Sequence, residues 1–227
     1  MYYQKTAIPV LFENPFCLVL NKPSGLSVQG GEGVSISLDS ILSESFSPRP
    51  LLVHRLDKDT SGVILVAKTK EAAGSFSVLF AGSPGGGAAN DTARLVVKKY
   101  LGICSGIPKP ESGIINLAID VRGKEREAET SYRVLSSGSI GGFSCSLLEL
   151  ELGTGRMHQI RRHLSQCGHP LLADDKYGDF PLNKKLRKDA GLKNLLLHSS
   201  RLIIPPFRKL LPDGLDISAP LPGYFPF

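Results

Sequence analysis

The sequence predicts a protein of the α+β class. Strand-like runs outnumber helical patterns along its 227 residues, and the two do not alternate as they would in a regular α/β sheet. Hydrophobic residues make up 41% and charged residues 21% of the chain, which is typical of a folded globular protein and excludes a disordered one. Glycine and proline are spread throughout, without a linker-like run between two obvious domains. We therefore expect one domain over residues 1–227.

The first half of the chain predicts short buried strands joined by polar turns. Thr69 is the predicted N-cap of a helix, with Glu71 in its first turn. The glycine-rich stretch 82–90 lacks the G-K-[ST] ending of a phosphate-binding loop and is predicted to be a flexible connector. The predicted elements are a strand at 17–20, a helix at 36–42, strands at 51–53 and 63–67, and a helix at 69–80.

The second half predicts longer strands and one clear amphipathic helix. Apolar residues recur at i, i+3, i+7 and i+10 on one helix face, namely Met157, Ile160, Leu164 and Cys167. Gly168 and Pro170 end that pattern. The predicted elements are strands at 99–103, 130–135 and 143–152, a helix at 156–167, and a strand at 195–204.

Positive charge is concentrated in one segment. The whole chain carries a formal charge of +6, whereas residues 184–209 contain eight basic residues and a single acid, Asp189. Such a segment indicates contact with a polyanion, often a nucleic acid. A solvated surface helix with a basic tail is the other interpretation.

Cysteine content and apolar patterning bear on metal binding and location. The four cysteines form no C-x-x-C unit, so we interpret them as buried or incidental thiols and expect no structural metal. No run approaches the roughly 18 apolar residues of a membrane span. The first residues lack the pattern of a secretory signal. We therefore expect a cytoplasmic protein without a membrane partner.

The polar loop between two predicted strands, residues 54–62, is the first candidate for chemistry. An EF-hand is excluded because its twelfth position is Lys68 and a strand follows where a helix is required. A kinase catalytic loop is excluded because Leu56 interrupts the H-R-D order. A catalytic carboxylate pair, Asp57 with Asp59, and a turn whose Asp side chains bond local N–H groups both stay open.

Four segments, taken together, carry a family resemblance. His54–Lys68, with the string H-R-L-D-K-D-T-S-G, closely resembles the signature of the RluA-type pseudouridine synthases. Further matches follow the family order, with L-V-L-N-K-P-S-G at 18–25, T-G-R-M-H-Q-I-R at 154–161 and L-H-S at 197–199. The resemblance spans residues 17 to about 206. The string D-D-K-Y-G-D at 174–179 resembles the ribosomal large-subunit, RluC-like branch.

The resemblance implies a fold and a set of catalytic residues. The implied fold is a mixed, mostly antiparallel sheet in two subdomains with a central active-site cleft. Asp57 is implied as the catalytic carboxylate, Arg161 as the guanidinium that pairs with it, and Tyr100 as an active-site residue that stacks on the base and serves in proton transfer.

The resemblance also implies substrate-binding residues. Arg55 would enter the space left by the extruded base, and Leu197 would pack beneath that base. His54, Arg156 and Gln159 complete the expected substrate-binding set. No cofactor and no metal are implied.

The implied activity is the isomerisation of specific uridines to pseudouridine in structured RNA. Large-subunit ribosomal RNA is the favoured substrate, with transfer RNA as the alternative. A non-catalytic RNA-binding protein that kept the fold and an N-glycoside hydrolase are the rivals from other classes. We expect a monomer that consists of the catalytic domain without the S4 RNA-binding domain found in many relatives.

Overall fold

The structure, a computed structural model, describes residues 8–81, 96–121 and 123–226. The predicted connector 82–90 lies outside the described residues. The chain forms two compact units. Unit 1 consists of Met1–Val96 and Arg201–Pro220, and unit 2 consists of Val97–Ser200 and Leu221–Phe227.

The elements confirm the α+β class. The strands are β1 (Val10–Glu13), β2 (Cys17–Lys22), β3 (Leu51–Leu52), β4 (Ser61–Ala67), β5 (Val97–Ser105), β6 (Ser112–Ile115), β7 (Ile119–Val121), β8 (Lys124–Arg126), β9 (Thr130–Ile140), β10 (Phe143–Leu152), β11 (Leu197–Ile204) and β12 (Leu215–Ser218). The helices are α1 (Leu38–Ser45), α2 (Lys70–Ala81), α3 (Gln159–Gln166) and α4 (Phe180–Asp189), with a short 3-10 helix at Arg208–Leu210.

Unit 1 is built on antiparallel strands around β2 and β4. Strand β2 pairs with β1 on one side and with β4 on the other, in a register that runs from Cys17 opposite Ala67 to Lys22 opposite Gly62. All seven residues of β4 are buried. Helix α2 packs Ala72, Phe76 and Leu79 into the core of this unit, and Thr69 caps it as predicted, because its hydroxyl accepts from the Ala72 N–H at 3.1 Å. This stiff core supports both ends of the loop that precedes β4.

Unit 2 contains the antiparallel order β5-β10-β9-β6. Gly102 in the middle of β5 allows close packing, since a Cβ there would lie 3.0 Å from Leu171 Cδ2 and 3.1 Å from Leu150 Cδ1. A second core layer includes Leu182 and Leu186, which bury one side of α4. The start of the basic segment, residues 184–189, is therefore part of a surface helix anchored by two leucines.

The predicted helix at 156–167 is shorter than expected. It begins at Gln159, because His158 adopts a left-handed conformation with φ of 55° that no α-helix continues through. Ile160 and Leu164 are buried as predicted, whereas Met157 is 52% exposed and Cys167 is also exposed. The assignment of Met157 and Cys167 to the core face was wrong, since both lie outside the regular helix.

None of the described helices is long and apolar enough to cross a membrane.

Candidate active site

The loop 53–60 presents Asp57 from a fixed frame in unit 1. Its two ends are β3 and β4, which pair with each other. His54 ties the start of the loop to β4, because its Nε2 accepts from the Leu65 N–H at 2.9 Å and its ring stacks on Phe80 with centroids 4.1 Å apart. Leu56 is buried, whereas Arg55 is exposed and Asp57 is half-buried. Burial thus alternates along these three residues, which places the side chains of Arg55 and Asp57 on the side of the loop opposite the core.

The segment 22–26 holds the far side of that loop by its main chain. Lys22 Nζ donates to the Lys58 carbonyl at 3.0 Å, and the Gly25 N–H donates to the same oxygen at 2.9 Å. The Ser24 hydroxyl donates to the Asp59 carbonyl at 2.8 Å. The Asp57 carbonyl in turn accepts from the Thr60 N–H at 3.2 Å. The backbone on both sides of Asp57 is therefore fixed by hydrogen bonds.

Lys22 is a fully buried cation beneath the loop. Its Nζ also donates to the carbonyls of Pro23 and Leu26, each at 2.9 Å, so three acceptors match the three N–H bonds of an ammonium. Burial lowers the pKa of Lys22 to about 7, against the charges of Asp59 and Asp57, which raise it. The three contacts favour the charged form, since an ammonium can donate to all three carbonyls whereas a neutral amine has only two N–H bonds. We interpret Lys22 as a residue that positions the loop.

Thr60 adds an unusual feature to the same loop. Its Oγ1 is buried and has no hydrogen-bond partner among the described residues. A buried hydroxyl in that state costs about 1–3 kcal/mol.

Tyr100 and Leu197 lie on neighbouring parts of the unit 2 core. Tyr100 is on β5 opposite Leu150 and is 7% exposed. Leu197 opens β11, and its Cδ1 lies 3.5 Å from the position that a Cβ on Gly102 would take. Both side chains are therefore largely buried within unit 2.

Arg161 is held in unit 2 by a buried carboxylate. Its Nε donates to Asp174 Oδ2 at 2.8 Å and its Nη2 to Asp174 Oδ1 at 2.7 Å, the two-pronged geometry that suits a guanidinium. Nη2 also donates to Asp175 Oδ1 at 3.2 Å, and the guanidinium lies 5.4 Å above the centre of the Tyr177 ring. The side chain of Asp174 is fully buried and that of Arg161 nearly so, whereas Asp175 is 72% exposed.

Asp174 is ionised and therefore carries the negative charge that pairs with Arg161. Burial alone would raise its pKa, but hydrogen bonds from Arg161 and from the N–H groups of Tyr177 and Lys176 lower the pKa below its ordinary value. Asp174 is not among the site residues that the sequence predicts. The signal was present in the string D-D-K-Y-G, which the resemblance had singled out as a branch feature.

Both polar atoms of the Gln159 side chain are fully engaged in hydrogen bonds to other residues of the protein. Its Oε1 accepts from the Thr154 hydroxyl at 2.7 Å and from the Arg156 N–H at 3.0 Å. Its Nε2 donates to the Glu129 carbonyl at 2.7 Å and to Thr130 Oγ1 at 3.0 Å. These contacts support a structural role in joining α3 to β9, and substrate binding by Gln159 stays a prediction.

The predicted site residues form two groups, one in each unit. Arg156 is exposed, and its Nε donates to the Glu127 carbonyl at 3.2 Å. Within unit 1 the structure brings His54, Arg55 and Asp57 onto one loop. Within unit 2 it gathers Arg156, Gln159 and Arg161 at the start of α3. The pairing of Arg161 with Asp57 stays a prediction.

Sequence comparisons identify relatives over most of the chain. Residues 17–166 match the family model described as RNA pseudouridylate synthase. The chain is 34% identical over 202 residues to the ribosomal large subunit pseudouridine synthase C of Haemophilus ducreyi, an alignment that covers 84% of this chain and 59% of the relative. It is 34% identical to the mitochondrial RNA pseudouridine synthase 4 of Arabidopsis thaliana, with 74% of this chain and 40% of the relative covered. The chain thus spans about half the length of these relatives.

Solved structures agree with the sequence comparisons. Human RNA Pseudouridylate Synthase Domain Containing 1 superposes with a TM-score of 0.77 at 25% identity, covering 98% of this chain and 86% of the other. Human RNA Pseudouridylate Synthase Domain Containing 4 superposes with a TM-score of 0.73 at 29% identity, covering 95% and 89%. The predicted pseudouridine synthase fold is confirmed. Because the family model covers well over half of its residues, the chain belongs to the RNA pseudouridylate synthase family.

Proposed function

We propose that this protein isomerises uridine to pseudouridine in RNA, with Asp57 as the catalytic carboxylate. The observation that carries the proposal is the Asp57 loop of a chain that belongs to this family. A half-buried carboxylate stands there on a backbone that Lys22, Ser24 and Gly25 hold by hydrogen bonds. Rigid support of this kind is what positions a catalytic group.

The reaction requires a carboxylate near the sugar of the target nucleotide. The bond between N1 of uracil and C1′ of ribose breaks, the base rotates, and a new bond forms between C5 and C1′. C5 loses a proton and N1 gains one, so the mass of the RNA does not change. An ionised aspartate can act at the sugar as nucleophile or base, and the isomerisation consumes no second substrate.

We assign the supporting roles on the basis of the family resemblance. Arg161 is the proposed guanidinium partner of Asp57, and the buried Asp174 fixes the orientation of Arg161. Tyr100 offers its ring to the uracil and its hydroxyl to proton transfer, and Leu197 packs beneath the base. Arg55, exposed beside Asp57, fills the space that the extruded nucleotide leaves.

Ribosomal RNA of the large subunit is the proposed substrate. Its support comes from the relatives, since the synthases of Haemophilus ducreyi and Rickettsia bellii are both named for the ribosomal large subunit. The alignment with the Rickettsia bellii protein is 31% identical and covers 95% of this chain. Monomeric state and cytoplasmic location stay predictions.

Nucleoside analysis of treated RNA tests this function. Transcripts of large-subunit rRNA and of tRNA are incubated with the protein, digested to nucleosides and separated by chromatography with mass detection. We expect pseudouridine in the rRNA digest, with a mass equal to that of uridine. Free uracil with abasic RNA would identify a hydrolase instead, and pseudouridine in tRNA alone would overturn the substrate assignment. Unchanged uridine in both RNAs would overturn the enzymatic function.

A further inference from the structure

The basic segment 184–209 divides into two parts that differ in their ion pairing. The second part starts within β11. There, Arg201 donates to both carboxylate oxygens of Asp216, at 2.6 and 2.5 Å. Lys209 lies 3.1 Å from Glu71, and Arg208 lies 3.5 Å from the Ser75 hydroxyl and over the Phe207 ring. These three cations already have partners within unit 1.

The cations of α4 are arranged differently. Lys184, Arg187 and Lys188 are exposed, and across the described ranges none of them forms an ion pair. The helix contains one acid, Asp189, and the carboxylate of the preceding Asp179 is engaged as N-cap by the Leu182 N–H at 2.9 Å. Positive charge on this helix is therefore not compensated locally.

An exposed aromatic ring shares the side of α4 that carries these cations. Phe180 is 58% exposed, which is the second-highest exposed fraction among the large hydrophobic side chains of the described residues. Lys184, Arg187 and Lys188 follow it at i+4, i+7 and i+8, so all four side chains lie on one stripe of the helix. The buried Leu182 and Leu186 lie on the opposite side. We call this stripe of Phe180, Lys184, Arg187 and Lys188 the α4 face.

We propose that the α4 face is an RNA-contact surface, where the three cations bind backbone phosphates and Phe180 stacks on an unpaired base. The proposal rests on the proposed function, because it names a part of the same RNA outside the reacting uridine. A nucleotide presents one flat base and one negative charge, and a stripe of one ring and several cations matches that pair. An acidic protein would satisfy the cations but would leave the ring without a specific partner.

Binding measurements with charge-matched variants test the cations. The triple variant Lys184→Gln, Arg187→Gln, Lys188→Gln is compared with the control Arg201→Gln, Arg208→Gln, Lys209→Gln, which removes the same formal charge. Affinity for a stem–loop transcript of large-subunit rRNA is measured across a series of salt concentrations. Loss of three phosphate contacts is expected to reduce the slope of log affinity against log salt by about 2. The control is expected to keep the wild-type slope.

Phe180→Ala tests the stacked base. We expect it to weaken binding to the stem–loop about tenfold, to leave the salt slope unchanged, and to have no effect on a blunt duplex of the same sequence. Equal slopes for the two triple variants would overturn the phosphate contacts and favour an acidic protein as the occupant. An equal effect of Phe180→Ala on stem–loop and duplex would overturn the stacking.

The two proposals fail in different ways. Absence of pseudouridine from rRNA treated with the wild type overturns the proposed function, whatever the binding data show. Wild-type conversion combined with equal salt slopes overturns the α4 face alone. If the α4 face is correct, its triple variant raises the KM for rRNA while the kcat at saturating RNA stays at the wild-type value.

Discussion

Asp174 and Asp175 are neighbours that bind the same guanidinium from different surroundings. Asp174 receives two short hydrogen bonds from Arg161 and is fully buried, whereas Asp175 makes one longer contact and is largely exposed. An exposed ion pair contributes little because water screens it. A buried pair is different, since removal of one partner leaves a charge without water and without a counter-charge.

Substitution of these two residues is therefore expected to have unequal effects. Asp174→Asn should lower the free energy of unfolding by about 3 kcal/mol, because Arg161 keeps its charge in a buried position. Asp175→Asn makes the same chemical change in an exposed position and should cost less than about 1 kcal/mol. Urea unfolding at neutral pH measures both. Equal losses for the two variants would contradict the assignment of Asp174 as the buried counter-charge.

The elements were largely predictable because their hydrophobic patterns are strong. Strand β10 covers the predicted residues 143–152, and α2 begins directly after the predicted N-cap Thr69. Helix α3 was predicted three residues too long at its start, since the spacing of Met157 from Ile160 fits a helix. Periodicity records only side-chain spacing and contains no information on the left-handed backbone of His158.

The sequence predicts residues for the candidate site but not the environments of those residues. The motifs pointed to Asp57, Tyr100 and Arg161, but the residues that hold them are not contiguous in sequence. Lys22 lies 36 positions before Lys58, whose carbonyl it binds. Burial of a lysine against three carbonyls is a tertiary property, so composition and spacing do not reveal it.

Helix α3 is docked on β9 through hydrogen bonds with a fixed direction. His163 Nε2 lies 2.9 Å from the Leu117 carbonyl and must donate to it, so Nδ1, 2.9 Å from Thr130 Oγ1, accepts the hydroxyl proton. The same hydroxyl oxygen accepts from Gln159 Nε2. A proton on Nδ1 would conflict with this arrangement. Burial also lowers the pKa of His163 below its ordinary value of 6.5, with Arg162 contributing and the Leu117 carbonyl opposing.

This network predicts a loss of stability in mild acid. The unfolded chain takes up a proton on His163 near pH 6.5, whereas the folded protein does so only at lower pH, so the free energy of unfolding falls as the pH drops through 6.5. His163→Gln can keep both hydrogen bonds without titrating. Between about pH 7.5 and about pH 5.5, the wild type should lose up to about 1.4 kcal/mol more than this variant. Urea unfolding at both pH values measures the difference, and identical losses would rule out His163 as the titrating group.

At the scale of the whole molecule, the four cysteines differ in burial, and buried ones occur in both units. Cys17, Cys104 and Cys145 are buried, and burial raises the pKa of Cys17 to about 11 and that of Cys104 to about 12. Cys167 is exposed at the end of α3. Thiol reagents attack the thiolate and need access to it, so the buried cysteines should be unreactive in the folded state.

A thiol titration is therefore expected to find one reactive cysteine in the native protein and four after unfolding. Reaction with a chromogenic disulfide reagent at neutral pH measures both numbers. Cys167→Ser should abolish the native reaction and leave three thiols in the unfolded chain. A second reactive thiol in the native protein would show that one of the two cores is open to solvent.

The proposed activity of the whole molecule depends on Asp57. Family membership, the fixed loop backbone and the chemistry of glycosidic bond exchange all converge on this carboxylate. The neighbouring Asp59 provides a matched control, because it lies two residues along the same loop and contributes its main-chain carbonyl to the Ser24 contact. Asp59→Asn keeps that carbonyl and changes the same functional group.

The most direct test is the release of tritium from rRNA labelled at uridine C5, since C5 loses its hydrogen when it becomes the new glycosidic carbon. Wild type and Asp59→Asn are expected to release tritium, and Asp57→Asn to release none above background. The affinity of Asp57→Asn for the RNA should stay within about tenfold of the wild type, because the lost interaction belongs to the transition state. Tritium release by Asp57→Asn at the wild-type rate would contradict the assignment of Asp57 as the catalytic carboxylate.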